Sequence, residues 1–135
     1  MRFDCVLLNP PFVRGKELDL EPTDLLGSKA NAFLHFAEKA ISLLEPGGEL
    51  RQISPCGFFG GSWGAKLRQQ MSETGAFTSV EWDLNPDWDA AVEVCRFTWV
   101  KGAAQSSVLF HGEERRFVCN DGHVFFPSFE PAAML

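Results

Sequence analysis

The sequence predicts an α/β fold, a sheet of parallel strands joined by helices that closes on a small antiparallel part. Three observations carry this. Segments follow one another as strand, helix, strand, helix, strand through the first two thirds of the chain, the order of parallel crossover units. Phe33, Phe36, Ala37, Ala40, Ile41 and Leu44 recur at helical spacing and mark an amphipathic helix. Beyond residue 100 helical periodicity stops, and short strand-like runs separated by turn residues follow.

Composition narrows the class. A chain of 135 residues suits one domain. Hydrophobic residues at 45% and charged residues at 22% are globular values, which excludes a disordered or collagen-like chain. The first apolar run, Cys5 to Leu8, stops at Asn9-Pro10, too early for a signal-peptide core or a membrane span, so the sequence reads as cytoplasmic and membrane-free. Twelve Lys and Arg against eighteen Asp and Glu leave a net charge of −6. Phosphate neutralisation supplies most nucleic-acid affinity, so this chain would grip nucleic acid only by clustering its few cations or with help from a partner. Cys5, Cys56, Cys95 and Cys119 form no C-x-x-C pair and read as buried free thiols.

In order along the chain, Arg2 to Leu8 reads as a strand buried on both faces toward its end, stopped by Asn9-Pro10-Pro11. Val13 to Gly27 has no apolar period and reads as a long loop, functional or mobile. Ser28 is a candidate cap for the helix over Phe33 to Leu44. Glu45-Pro46-Gly47-Gly48 ends that helix, and a strand follows over Glu49 to Ser54. The glycine-rich stretch Gly57 to Ser62 leads to a second helix with Trp63, Leu67 and Met71 on one face, closed by a Gly75 cap. Strands are expected over Phe77 to Leu84 and, after the turn Asn85-Pro86-Asp87, over Val92 to Val100. Short strands are expected at Val108–Phe110, Arg116–Cys119 and His123–Phe126, the last two joined by Asn120-Asp121-Gly122, a hairpin turn. Pro127 to Leu135 reads as a loose tail. The division expected is residues 1–102 as a catalytic half and 103–135 as the antiparallel ending.

Asn9-Pro10-Pro11-Phe12 carries the chemistry. It lies where the first strand ends, the place at which open α/β sheets bind ligands. Asn9 offers a side-chain carbonyl, and Pro10 a backbone carbonyl whose direction two consecutive rings fix. Two rigid acceptors can bind both hydrogens of one amino group and draw its nitrogen lone pair out of conjugation. Phe12 adds a face on which a planar substrate can stack.

The run Phe3 to Phe12, with the following loop and the helix that ends Ala40-Ile41-Ser42-Leu43-Leu44-Glu45-Pro46-Gly47-Gly48, resembles the class I S-adenosylmethionine-dependent amino-methyltransferases. It is most similar to the DNA adenine-N6 methyltransferases of restriction-modification systems. Pro55, Lys66-Leu67-Arg68 and the run Val92 to Lys101 suit that family, so the resemblance spans about residues 1–102. It implies a partial methyltransferase-type, Rossmann-like sheet. It further implies that Asn9 and Pro10 bind the N6 amino group of a flipped adenine, that Pro11 keeps the turn rigid and that Phe12 stacks on the base. Relatives with this motif act on guanine N2 in ribosomal RNA or on a protein glutamine, and the motif does not separate the three.

The resemblance also implies S-adenosylmethionine as cofactor. The strand, glycine-rich turn and acidic residue that hold it in the family precede the N-P-P-F segment, and this sequence begins at the strand just ahead of Asn9. Gly57 to Gly64 follows a strand and opens a helix, yet it reads as a plain loop rather than a substitute cofactor site. The expectation is therefore a truncated relative, inactive alone and completed by a separate cofactor-binding subunit or by self-association. The alternative is a non-catalytic oligomeric binding module, or a split methyltransferase subunit acting on RNA guanine or protein glutamine. Arg51 and Gln52 in a strand that is nearly all apolar in the family imply one wetter sheet face. The first strand, without its usual neighbour, offers an edge for pairing.

Other candidates weigh less. His35 reads as a surface residue opposite the apolar stripe. Cys119 and His123, with His111 nearby, fall short of the four ligands of a zinc site. Asp83, Asp87, Asp89 and Glu93, interleaved with Trp82 and Trp88, read as a solvated loop.

Overall fold

The computed structural model describes residues 1–59, 62–83, 94–105 and 107–125. Its elements run β1 (Phe3–Leu8), α1 (Ala32–Leu43), β2 (Leu44–Pro55), α2 (Ala65–Thr74), β3 (Gly75–Asp83), β4 (Val94–Lys101), β5 (Ser107–Phe110), β6 (Glu113–Arg116), β7 (Val118–Asn120) and β8 (His123–Phe125). A six-stranded sheet has the order β1-β2-β4-β3-β5-β6, and β7 and β8 form a separate ribbon. β1 pairs parallel with β2, and β3 with β5. β4 runs antiparallel to both β2 and β3, and β6 runs antiparallel to β5. This corrects the expected parallel first part: β2 and β3 point the same way but never touch, because β4 lies between them.

The register follows from the alternation of apolar residues. Leu50, Gln52 and Ser54 of β2 lie opposite Trp99, Phe97 and Cys95 of β4. Phe77, Val80 and Trp82 of β3 oppose the same three residues from the other side. A slip of one residue in β4 would carry Trp99, Phe97 and Cys95, all buried, to the opposite face. Both helices cover the face these residues form: the Trp99 Nε1 donates to the Met71 carbonyl of α2 at 2.9 Å, and the Gln52 Nε2 to the Phe33 carbonyl of α1 at 3.3 Å. Phe33, Phe58, Phe59, Phe77, Phe97 and Phe117 fill the space between, with ring centroids 4.7–6.5 Å apart in edge-on, tilted and stacked pairs.

No described helix covers the other face. Leu7 is 75% exposed there, beside exposed Cys5, Arg51 and Arg96. Arg51 thus stands on the wetter face the sequence implied. Gln52 does not; it is 2% exposed among the core residues. β1 is an edge strand of the sheet, as expected, but its residues are exposed or half-buried rather than buried on both faces.

Several local expectations are corrected. α1 starts after Asn31 rather than at Ser28, and its N-cap side chain makes no capping bond. Glu45 to Gly48 belongs to β2, where the pairing jumps from Phe3↔Leu44 to Cys5↔Glu49, and Gly47 at φ +85° takes up the bulge. Gly75 is not a left-handed cap but extended, the first residue of β3. A Cβ there would lie 2.3 Å from Trp99 Cζ2, so close approach rather than turn geometry requires glycine. Trp63 lies outside α2 and is 55% exposed. The run Arg116 to Cys119 splits, with Arg116 ending β6 and Cys119 in β7. Asp121 (φ 52°) and Gly122 (φ 79°) form the expected hairpin turn, and His111 (φ 52°) with Gly112 (φ 80°) forms another of the same backbone type between β5 and β6.

The β7–β8 ribbon is fixed to α2. Fully buried Arg68 donates through Nε to the Gly122 carbonyl at 2.7 Å and through Nη1 to the Phe58 carbonyl at 2.9 Å. Desolvation by burial holds the Arg68 pKa below its ordinary value, against an opposing pull from Cys119. The Gln69 side-chain carbonyl accepts from the Gly122 amide at 2.9 Å. Of the cysteines, Cys95 is buried, Cys119 half-buried and Cys5 exposed, each a free thiol, while the Cys56 side chain lies outside what is described. Among the described residues no helix is long and apolar enough to cross a membrane.

Candidate functional site at the end of the first strand

Pairing between β1 and β2 ends at Leu8↔Gln52 because Pro10 and Pro11 have no N–H to continue the ladder. Alternation along β1 places Asn9 on the side of Leu7, the open face. There it lines a cavity of about 490 Å³ with Leu7, Arg51, Ile53, Arg96 and Thr98 among its neighbours. Pro10 is buried, and Pro11 is exposed. Phe12 is 38% exposed and packs its ring edge-on to Phe33 of α1, centroids 6.4 Å apart, on the helix-covered side. The tetrapeptide therefore crosses the end of the sheet, with Asn9 on one side and Phe12 on the other.

The following segment is more tightly held than a long loop implies. The Ala32 amide donates to the Val13 carbonyl at 2.7 Å, Gly15 donates to the Ala30 carbonyl at 2.9 Å, and Arg14 bridges to Asn31. A 3₁₀ turn spans Gly15–Leu18, and the Thr23 hydroxyl donates to Glu38 on α1 at 2.9 Å while accepting from the Leu26 amide at 3.1 Å. His35, half-buried, closes on Gly15: a Cβ at that glycine would lie 3.0 Å from its imidazole Nε2.

Neither the Asn9 carboxamide nor the Pro10 carbonyl has a hydrogen-bond partner among the described residues. Two acceptors without internal partners at a rigid strand end can serve a ligand donor. Among the described lining residues the one carboxylate of the cavity is Glu81, bound to Arg96 at 2.9 Å. The site has the equipment to bind and orient a donor group rather than to transfer a proton.

The sequence reading missed two features. Gln52 Oε1 is buried without a partner among the described residues, on the helix-covered face where its Nε2 donates to the Phe33 carbonyl. Arg14, Lys16, Ser28, Lys29, Asn31 and Trp63 border a second cavity of about 340 Å³ on the stretch that follows Phe12. The unbroken Ser62-Trp63-Gly64 before a helix was the available cue, since an indole between glycine-rich turns has little to pack against. Among the described residues no three His, Cys, Asp or Glu side chains converge on a metal-sized site. His111 instead accepts from the Trp82 amide through Nε2 at 3.0 Å. Asp87, Trp88, Asp89 and Glu93 lie outside the described residues, as do Gly60 and Gly61.

Residues 1–81 match the Eco57I restriction-modification methylase family. The chain belongs to that family. Its fold is similar to a chain solved for complex assembly of a type I restriction-modification system (22% identity, TM-score 0.65, covering 81% of this chain and 23% of that one). It is also similar to the M protein of the EcoKI type I restriction enzyme (19%, 0.64, 81% and 25%). A Listeria monocytogenes protein named as a class I S-adenosylmethionine-dependent methyltransferase matches at 17% identity and a TM-score of 0.60, covering 79% of this chain and 37% of that one. No curated protein matches. The chain thus spans 23–37% of the length of these structures, and the fold is a mixed α/β sheet of the class I methyltransferase kind.

The family implies S-adenosylmethionine, a cationic nucleoside sulfonium. The described residues around Asn9 offer it no unshared carboxylate: Glu81, the one in the cavity, is paired with Arg96. Gly64 is a glycine because a Cβ would press on Arg68 Nη1 at 2.8 Å and Leu34 at 3.0 Å, a packing reason rather than a ligand cradle.

Proposed function

We propose that this chain is the substrate-holding part of an S-adenosylmethionine-dependent adenine-N6 DNA methyltransferase, inactive until a separate segment or subunit supplies the cofactor site. The observation that carries the reading is the pair of partner-free acceptors at the strand end, Asn9 Oδ1 and the Pro10 carbonyl, with the half-exposed Phe12 ring across the end of the sheet from Asn9. Asn9 and Pro10 accept the two N6 hydrogens of an extruded adenine, which localises the lone pair on nitrogen. Phe12, backed by Phe33, stacks on the base, and Pro11 holds the spacing between the acceptors and the ring. Catalysis by such a site is positioning and electrostatic preorganisation, with no proton carrier on the protein. Membership in a restriction-modification methylase family favours DNA adenine over RNA guanine or protein glutamine.

A second reading has its own support. The exposed β1 edge beside a sheet face that no described helix covers favours an oligomeric binding module without catalysis. Methyl transfer decides between them. The chain, purified alone and with a co-expressed cofactor-binding partner, is given tritiated S-adenosylmethionine and adenine-containing DNA. Label should enter adenine only with the partner present, and Asn9→Ala in that complex should lower the rate about 100-fold or more. Full activity of Asn9→Ala overturns the site assignment, and activity of the chain alone overturns the split.

A further inference from the structure

We propose that the groove formed by Arg14, Lys16, Lys29 and Trp63 binds the sugar-phosphate backbone of unpaired DNA and stacks one of its bases. In a chain of net charge −6, three of the twelve cationic side chains meet in one cavity of about 340 Å³. Lys16 and Lys29 have no ion pair among the described residues, and Arg14 has one exposed, long contact with Glu17 at 3.6 Å, weak enough for a phosphate to replace. Both helices begin at this groove. Asn31, the residue before α1, lines it, and Trp63 lies two residues before α2. Neither helix has an acidic residue in its first turn or a side-chain cap, so no carboxylate opposes an anion at either positive end, although the Ala32, Leu34 and Ala65 amides already have backbone acceptors.

Trp63 makes the ligand more than a simple anion. Its indole is 55% exposed beside the cations, which offers a base a flat apolar surface and costs the fold a hydrophobic contact it could otherwise have made. Cations alone would suit any polyanion; cations with an aromatic platform suit a strand whose bases are unstacked. The groove is rigid, because the Arg14–Asn31 bridge and the 2.9 Å bond from the Gly15 amide to the Ala30 carbonyl tie the Arg14 backbone to the start of α1. Arg14 follows Phe12 by two residues, so the groove borders the end of the first strand where that ring stands. The inference rests on the reading of that end as a nucleic-acid site, and binding without methyl transfer separates the two.

The test is fluorescence anisotropy of a labelled 12-nucleotide single-stranded DNA against the full chain, with no cofactor, at several salt concentrations. Three phosphate contacts give a slope of log affinity on log salt of about −2. Lys16→Glu with Lys29→Glu should weaken binding at least tenfold and flatten that slope, and Trp63→Ala should weaken it about tenfold with the slope unchanged. Lys39→Glu, on α1 away from the groove, should bind as the parent does. Equal binding by the double variant, displacement by millimolar inorganic phosphate as effective as by excess DNA, tighter binding of a phosphopeptide than of DNA, or no binding at low salt each overturns the proposal. Groove-dependent binding upholds the proposal even if Asn9→Ala stays active in the complex, a result that overturns only the Asn9 assignment.

Discussion

Gly75 and Trp99 define how closely the strands may approach. A methyl group on Gly75 would meet Trp99 Cζ2 at 2.3 Å and the Val100 carbonyl at 2.5 Å, and neither a buried indole nor a paired strand can yield. Gly75→Ala is expected to lower stability by about 3 kcal/mol in urea unfolding. Arg68 matters for a different reason, since it satisfies two carbonyls from a fully buried position. Arg68→Met leaves the Gly122 and Phe58 carbonyls without these donors and should cost about 2–4 kcal/mol in the same measurement, with the ribbon loosening first. Phenylalanine rather than tyrosine suits the ring cluster, because a hydroxyl among Phe58, Phe77 and Phe97 would be buried among rings. Asn9 to Phe12 was legible because all its parts are consecutive in sequence. Gln52 and Trp63 were not: which face of a strand is covered, and whether an indole finds a partner, depends on segments far away in the chain.

At the level of elements, sequence signals served best where geometry is local. Asn120-Asp121-Gly122 foretold its hairpin, while His111-Gly112 makes the same turn from a less familiar pair. Glu45 to Gly48 read as a turn because Pro and Gly punctuate chains, yet β1 pairs across them and only the bulge records their presence. Gly47 at φ +85° has nothing within 4 Å of an added Cβ, so Gly47→Ala suffers backbone strain alone. That variant is expected to lose about 1 kcal/mol of stability with no change in the slope of its denaturant curve. The place of β4 between β2 and β3 left no mark in local patterning, because an apolar strand alternates in the same way whichever neighbours it has.

For the whole molecule, one sheet face is dressed by helices and the other, with the β1 edge, is bare among the described residues. A bare edge next to exposed Leu7 predicts association. Sedimentation equilibrium at micromolar concentration should show a species larger than the monomer, and Leu7→Glu should return it to monomer without unfolding it. Calorimetric titration of S-adenosylmethionine into the isolated chain should release no heat at high micromolar concentrations, and saturable binding would overturn the proposed need for a separate cofactor-binding segment or subunit.

The strand order also sets a timetable. Phe77 and Val80 of β3 have their main-sheet partners in β4, which leaves the ribosome about eighteen residues after β3 ends. At ordinary elongation rates that interval is roughly one to four seconds, during which the apolar face of β3 has α2 and the Phe58 and Phe59 rings to shelter it but no paired strand. A nascent chain stalled between the two would expose an unzipped strand, so the quality of this fold in the cell is governed by how promptly its eighth decade of residues is followed by its tenth.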